Sequence, residues 1–326
     1  MRPLTRSRMV KLGQLFGDTP DGETPSFLGF ERCSDLNTLV ADIALIGIPI
    51  ATPYASLGTY AAGSPTAIRI GAGDFVSAVN HFDFDLGGPV LGDGGIKALD
   101  CGDLDGDVQD AAGNRERITK AMRTILDRGA IPIVLGGDDS VPIPIFQAFE
   151  GRGDFTVLQV DAHIDWRDEV GGERYGLSST MRRASEMPWV KRIVQVGARG
   201  IGSARPQDFD DARAWGAHII PAQTLHADGV SSALKLIPDG SEVLVTIDCD
   251  GLDPAIMPAV IGPAPGGLSY WQVVALLQGV AAKARIACFD IVEFMTERDA
   301  QGLAALTAAR LVCNAIGLIA RQRWKA

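Results

Sequence analysis

FTVLQVDAHID, residues 155–165, is a short Val-rich apolar run that stops abruptly at an aspartate and adds a histidine and a second aspartate within four residues. Similar runs recur along the chain: ADIALIGIPI (41–50), AIPIVLGG (130–137), RIVQVGARG (192–200), EVLVTIDCD (242–250) and RIACFDIVEF (285–294). Apolar runs of this length, without polar alternation and with helical stretches between them, predict strands buried on both faces of a mostly parallel sheet with crossover helices outside. One connecting helix reads clearly in NRERITKAMRTILDRG (114–129). Ile118, Ala121, Met122 and Ile125 share one face, Asn114 is placed to cap the start, and Gly129 ends it. TAARLVCNAIGLIAR (307–321) is apolar nearly all round and predicts a packed helix near the carboxyl end. No repeat, low-complexity tract or linker divides the chain. The fold expected is a single-domain, three-layer α/β/α with a mostly parallel central sheet.

In such sheets ligands bind beyond the carboxyl ends of the strands. Three runs deliver acids there: AIPIVLGG leads into Asp138 and Asp139; FTVLQV into Asp161, His163 and Asp165; EVLVTI into Asp248 and Asp250, followed by Asp253-Pro254. Strand alternation puts Asp161, His163 and Asp165 on one side, and likewise Asp248 with Asp250. Gathering so many buried carboxylates is costly unless cations compensate. Carboxylates with one imidazole form a hard, mainly oxygen donor set suited to manganese or magnesium, with nickel, cobalt or zinc accessible through the nitrogen. For GGDDS by itself, helix capping competes with metal binding as the reason for the acids.

Whole-chain properties narrow the partners. The 326 residues carry 40 acidic and 30 basic side chains, a formal charge of −10, which disfavours nucleic acid and anionic membranes. No apolar run is expected to reach the ~20 residues of a membrane span, and the start lacks a signal-peptide core, so a soluble cytoplasmic protein is expected. Five scattered cysteines without a C-x-x-C pair predict reduced core thiols.

DAHID followed by D-x-D-x-x-D-P resembles the paired signatures of the ureohydrolases, the arginase and agmatinase family. GTYAAGSPTAIR (58–69), GGDDS (136–140) and FDIVEF (289–294) are similar, in order, to further segments of its agmatinase-like branch. The resemblance runs from about residue 40 to the end. It implies an arginase-like domain over 36–326, with residues 1–35 as an amino-terminal arm or extension, and a homo-trimer or homo-hexamer. It further implies two Mn2+ ions, nickel or cobalt being alternatives, bridged by Asp161 and Asp248. Asp165 and Asp139 would complete one ion, His163 and Asp250 the other. A bridging hydroxide would attack a cationic guanidino compound (agmatine, a guanidino acid, guanidine or an alkylguanidine) to give urea and an amine. Asp165 would assist proton transfer and Glu293 would pair with the guanidinium.

Two departures stand out. The family pattern has His where this chain has Asp139, which adds one negative charge to the ligand set and should weaken the Lewis acidity of its ion. The histidine usual in the loop after DAHID is also missing from ERYGLSSTMRRASEM (173–187). Tyr175 stands near that position as the candidate substrate contact, and Arg182 and Arg183 are expected on an exposed helical face. These losses motivate the alternative of a non-catalytic subunit serving as scaffold or partner of an active paralogue. Trp166, Arg167 and Asp168 are read either as lining the entrance or as surface loop, and Asp253 as a turn former.

Overall fold

A computed structural model describes residues 25–324. Its centre is a nine-stranded sheet: β1 (Glu31–Arg32), β2 (Ile43–Ile48), β3 (Ala98–Asp103), β4 (Ile131–Gly136), β5 (Phe155–Val160), β6 (Val190–Val196), β7 (His218–Ile220), β8 (Glu242–Asp248) and β9 (Arg285–Val292). Their order is β1-β3-β2-β4-β9-β8-β5-β6-β7, and every neighbouring pair is parallel. All six apolar runs became strands. The edge strands β1 and β7 and the next-to-edge β3 lie outside those six runs. Burial on both faces selects for Val and Ile, and it weakens toward an edge, so LDCGD and HII carry little apolar signal.

The helices are α1 (Ser64–Gly73), α2 (Ala111–Asp127), α3 (Pro142–Gln147), α4 (Thr180–Ser185), α5 (Pro206–Trp215), α6 (Ala222–Asp228), α7 (Ser231–Leu234), α8 (Tyr270–Lys283) and α9 (Leu303–Trp324). Alternate residues of one strand serve opposite layers. In β2, Ile43 and Leu45 enter the core shared with α1, α8 and α9, while Ala44, Ile46 and Ile48 enter the one shared with α2, α3 and α4. The three layers are therefore those expected, around one parallel sheet.

Two local expectations need correction. Helix α2 starts earlier than Asn114: Asp110 caps it by accepting from Gly113 N, and Asn114 is buried inside the first turns, donating to Ala51 O and Asp107 O. Gly129, with φ 76°, leaves the helix in the left-handed region as expected. Helix α9 contains a 21-residue stretch, Leu303–Arg323, long and apolar enough by composition to cross a membrane; 78% of its most apolar window is buried, and the helix packs against α1 and α8 as a core element. Gly71 of α1 makes that packing close, since a Cβ there would lie 2.6 Å from Ala305 O.

Of the arm expected over 1–35, residues 1–24 lie outside the described residues. The remainder is joined to the sheet: Phe27 N–H donates to the buried Asp100 carboxylate at 2.8 Å, and β1 pairs with β3.

Candidate functional site

Strands β4, β9, β8 and β5 are adjacent at the sheet centre, and their carboxyl ends carry Asp139, Glu293, Asp248 and Asp161. The acids converge, although not through strand alternation. β5 ends at Val160 and the chain then turns, reaching Asp165 at φ 51°; β8 ends at Asp248 and residues Cys249–Gly251 form a 3-10 turn. Glu293 has φ 69°. Non-glycine residues in the left-handed region carry strain, and such strain concentrates where a site dictates side-chain direction.

Oxygen atoms of Asp139, Asp161 and Asp165 lie mutually within 4.8 Å, as do ligand atoms of Asp161, His163 and Asp250. Asp161 belongs to both groups. His163 Nδ1 is 3.0 Å from Asp250 Oδ2 and 3.4 Å from Asp161 Oδ1. Asp248 Oδ1 accepts from Asp250 N at 2.7 Å, and Asp250 Oδ1 from Ala162 N at 3.1 Å, so each carboxylate keeps an oxygen not engaged by these backbone bonds.

The two adjacent aspartates of GGDDS divide the competing roles. Asp138 is the turn former, its Oδ1 accepting from the Ser140 N–H and hydroxyl. Asp139 points into the cluster, 2% exposed, and neither carboxylate oxygen has a hydrogen-bond partner. A buried carboxylate without a donor is expensive, by several kcal/mol for an uncompensated charge. Burial and the neighbouring charges push Asp139, Asp161 and Asp248 well above the ordinary carboxylate range. Asp250 is the exception: burial opposes its ionisation, but the His163 hydrogen bond and charge outweigh it and hold it low. His163 is pushed up to about 9, first by its bond to Asp250, with burial opposing. A cluster in which burial and mutual charge oppose ionisation fits divalent cations, and the bare oxygens of Asp139 fit an ion on that side.

Supporting contacts unmarked in the sequence hold this arrangement. Gln159 Nε2 donates to Asp161 at 2.7 Å and to Asp165 at 2.8 Å; its own Oε1 accepts from Gln195, which is fixed by Trp166 Nε1 at 2.9 Å. Arg199 inserts its guanidinium beneath the β8 loop and donates to Asp250 O and Ala264 O at 2.7 Å, and also to the carbonyls of Gly197, Gly251 and Leu252. It places a fixed positive charge behind the acids. Asp253 is a turn former as expected, accepting from Ala255, Gly266 and Gly267 N–H groups.

Glu293 is 2% exposed and accepts from Asp139 N at 2.8 Å and from the Tyr60 hydroxyl at 2.7 Å to each oxygen. Burial first, and the Asp138 charge second, raise it to about 8. Tyr60 is a site residue that sequence reading overlooked. It sits in GTYAAGSPTAIR, where the Gly-Ser-Pro helix start drew attention away from the tyrosine.

Tyr175 is not brought to the site. Its ring lies under Arg115, with the guanidinium carbon 4.4 Å from the centroid, on the α2 side of the molecule. The following Gly176 packs so tightly on Tyr54 that a Cβ would meet its ring at 2.0 Å, and this anchors the loop with Tyr175 outward and Leu177 and Ser178 inward. Arg183, expected exposed, is 3% exposed and pairs with Asp168 and Glu186. Beside the acids opens a cavity of about 300 Å³, lined by Asp139, His163, Asp165, Asp248, Asp250 and Glu293 together with Arg167, Ser178, Ser203, Asp208 and Ile261.

Residues 41–317 match the arginase family. The chain belongs to that family. Over 208 residues it is 40% identical to the N(1)-aminopropylagmatine ureohydrolase of Thermus thermophilus, a match spanning 63% of this chain and 66%, just under two thirds, of that one. It is 28% identical to the agmatinase of Pyrococcus horikoshii over 86% of this chain and 93% of the relative. Among solved structures, the proclavaminate amidino hydrolase from Streptomyces clavuligerus superposes with a TM-score of 0.79 at 26% identity, covering 92% of this arginase-family chain and 98% of the other. The position of the acids at the sheet's carboxyl edge thus lies within an enzyme family.

Proposed function

We propose that this chain hydrolyses a guanidino compound to urea and an amine, with Asp139, Asp161, His163, Asp165, Asp248 and Asp250 holding two divalent cations. The observation that carries the reading is the buried carboxylate cluster with Asp139 unpartnered, opening onto a cavity whose wall includes Glu293. Two divalent cations bound there would supply Lewis acidity and a water ionised near neutral pH.

The protein's own groups do the rest. Asp165, held in the left-handed region and steadied by Gln159, is placed to accept a proton from the attacking water. Glu293, fixed by Tyr60 and Asp139 N, pairs with the guanidinium and keeps the reacting carbon over the cluster. The cavity walls limit water around the planar cation, which strengthens each electrostatic contact. Manganese is the resident ion we favour, nickel or cobalt the alternatives, and the relatives' names point to agmatine-like or guanidino-acid substrates. Assembly as homo-trimers or homo-hexamers follows from the family resemblance.

Urea release from protein loaded separately with manganese, nickel and cobalt, across agmatine, guanidino acids, guanidine and alkylguanidines, tests the reading. Urea from at least one compound is expected. Silence with every metal and compound would favour the scaffold alternative, for which the replacement of a histidine by Asp139 is the motivating feature.

A further inference from the structure

Four polar side chains lie in one row across the middle of the sheet: Gln195 on β6, Gln159 on β5, Thr246 on β8 and Asp290 on β9 are register partners in turn, and none is more than 1% exposed. Burial this deep selects for bonded polar groups, and the bonds split the row into two pairs. Thr246 donates to Asp290 Oδ1 at 2.6 Å, and Gln195 Nε2 donates to Gln159 Oε1 at 2.6 Å. The glutamine pair continues to the acids.

The direction of that path is fixed at its far end. An indole N–H can only donate, so Gln195 must turn Oε1 to Trp166 Nε1, at 2.9 Å. Gln195 Nε2 then faces two acceptors, Ile164 O at 2.8 Å and Gln159 Oε1, which leaves Gln159 Nε2 to give one hydrogen to Asp161 at 2.7 Å and the other to Asp165 at 2.8 Å. Reversing either amide would set oxygen against oxygen. The path also closes on itself. Ile164 and Trp166 flank Asp165, so Gln195 grips the chain on both sides of the residue held at φ 51° while Gln159 holds its carboxylate.

Asp161 and Asp165 are two of the three carboxylates that converge with Asp139. The neighbouring group of Asp161, His163 and Asp250 contains an imidazole, whereas the group with Asp139 contains only acids. Three carboxylates repel one another until a cation arrives, and neutral donors aimed at two of them lower that cost in advance. We propose that Trp166, Gln195 and Gln159 form a one-way hydrogen-bond relay that preassembles the acid-only ion site, which makes Trp166 a positioning residue acting on that site through two amides. The proposal rests on the two-ion hydrolase reading above.

Manganese titration of the full chain, with the two ions resolved as separate binding steps, compares the parent with Gln159→Met, Trp166→Phe and the two combined; the step lost in Asp139→Asn identifies the acid-only ion. Gln159→Met is expected to weaken that step by about 10–100-fold, and the step that depends on His163 by less. Trp166→Phe keeps a ring against Trp215, whose centroid lies 6.1 Å away, and removes the donor; it should weaken the same step by about 3–10-fold. Added to Gln159→Met it should change nothing further, because the relay is already cut. Gln159→Glu retains an acceptor for Gln195 but turns a charge onto Asp161 and Asp165, and should weaken the step beyond the Met variant. Losses that multiply in the combined variant would mean independent packing roles and overturn the proposal, as would parent-strength binding in Gln159→Met or in Gln159→Glu. Two ions bound with the expected variant pattern but no urea from any guanidino compound would sink the hydrolase reading and leave the relay standing. A parent chain that binds no manganese would sink both.

Discussion

The Tyr60 hydroxyl lies 2.7 Å from each carboxylate oxygen of Glu293, joining the loop before α1 to the end of β9. Its removal leaves a buried carboxylate with one donor fewer. Tyr60→Phe is expected to reduce kcat/KM by about 10–100-fold, the scale of a hydrogen bond to a charged group. The sign of the pH effect is fixed. The Tyr60 bond lowers the Glu293 pKa from where burial would set it, so its loss raises that pKa further, and the acid limb of the pH–rate profile moves to higher pH. A profile that stays put, or moves down, would show that Glu293 need not be ionised.

Asp139 decides the character of one ion site. Asp139→His replaces an anionic oxygen by a neutral nitrogen, and should shift loading from manganese toward nickel or cobalt by about tenfold or more. Metal content after dialysis against an equimolar mixture measures this without any turnover. Asp139→Asn should lower total metal per chain, and Asp248→Asn should abolish activity. An unchanged metal ratio in Asp139→His would place Asp139 outside the ligand set.

Arg199 positions the β8 loop through its carbonyl contacts, and its guanidinium is partly stripped of water, which lowers its pKa. Arg199→Leu removes five carbonyls' partner at once. We expect a loss of about 3–5 kcal/mol in stability together with weaker metal binding, measured by denaturant unfolding and metal titration. Arg199→Lys should recover part of the stability; full metal affinity in the Leu variant would contradict the positioning role.

Asp85 ties the loop before β3 to the helical layer, accepting from Tyr270 at 2.5 Å and from Arg310 at 2.9 Å. Burial opposes its ionisation, but those donors outweigh it and its pKa is lowered. Its contribution is therefore complete above the ordinary carboxylate value and is lost as pH falls through the lower folded value. Asp85→Asn should cost about 1–3 kcal/mol at pH 7. The gap between variant and parent should close as the pH is taken well below the ordinary carboxylate range. A constant gap in urea unfolding at both pH values would rule out this linkage.

The central layer was legible because β2, β4, β5, β6, β8 and β9 are buried on both faces, and only Val, Ile, Leu and a few small residues satisfy that environment. The acids at their ends were legible for the complementary reason that carboxylates rarely follow such strands unless something compensates them. Chain order and side-chain type thus determined the parallel α/β architecture, the family and the set of residues that meet at the sheet edge. Tertiary structure alone decided which of two adjacent aspartates enters the cluster, and that Tyr60 rather than Tyr175 reaches the site. Those choices depend on left-handed turns at Asp165 and Glu293, on close packing of Gly176 against Tyr54, and on contacts between residues far apart in the chain. Local sequence carries propensity and periodicity, whereas the direction of a single side chain at a loop is set by the neighbours that folding brings to it.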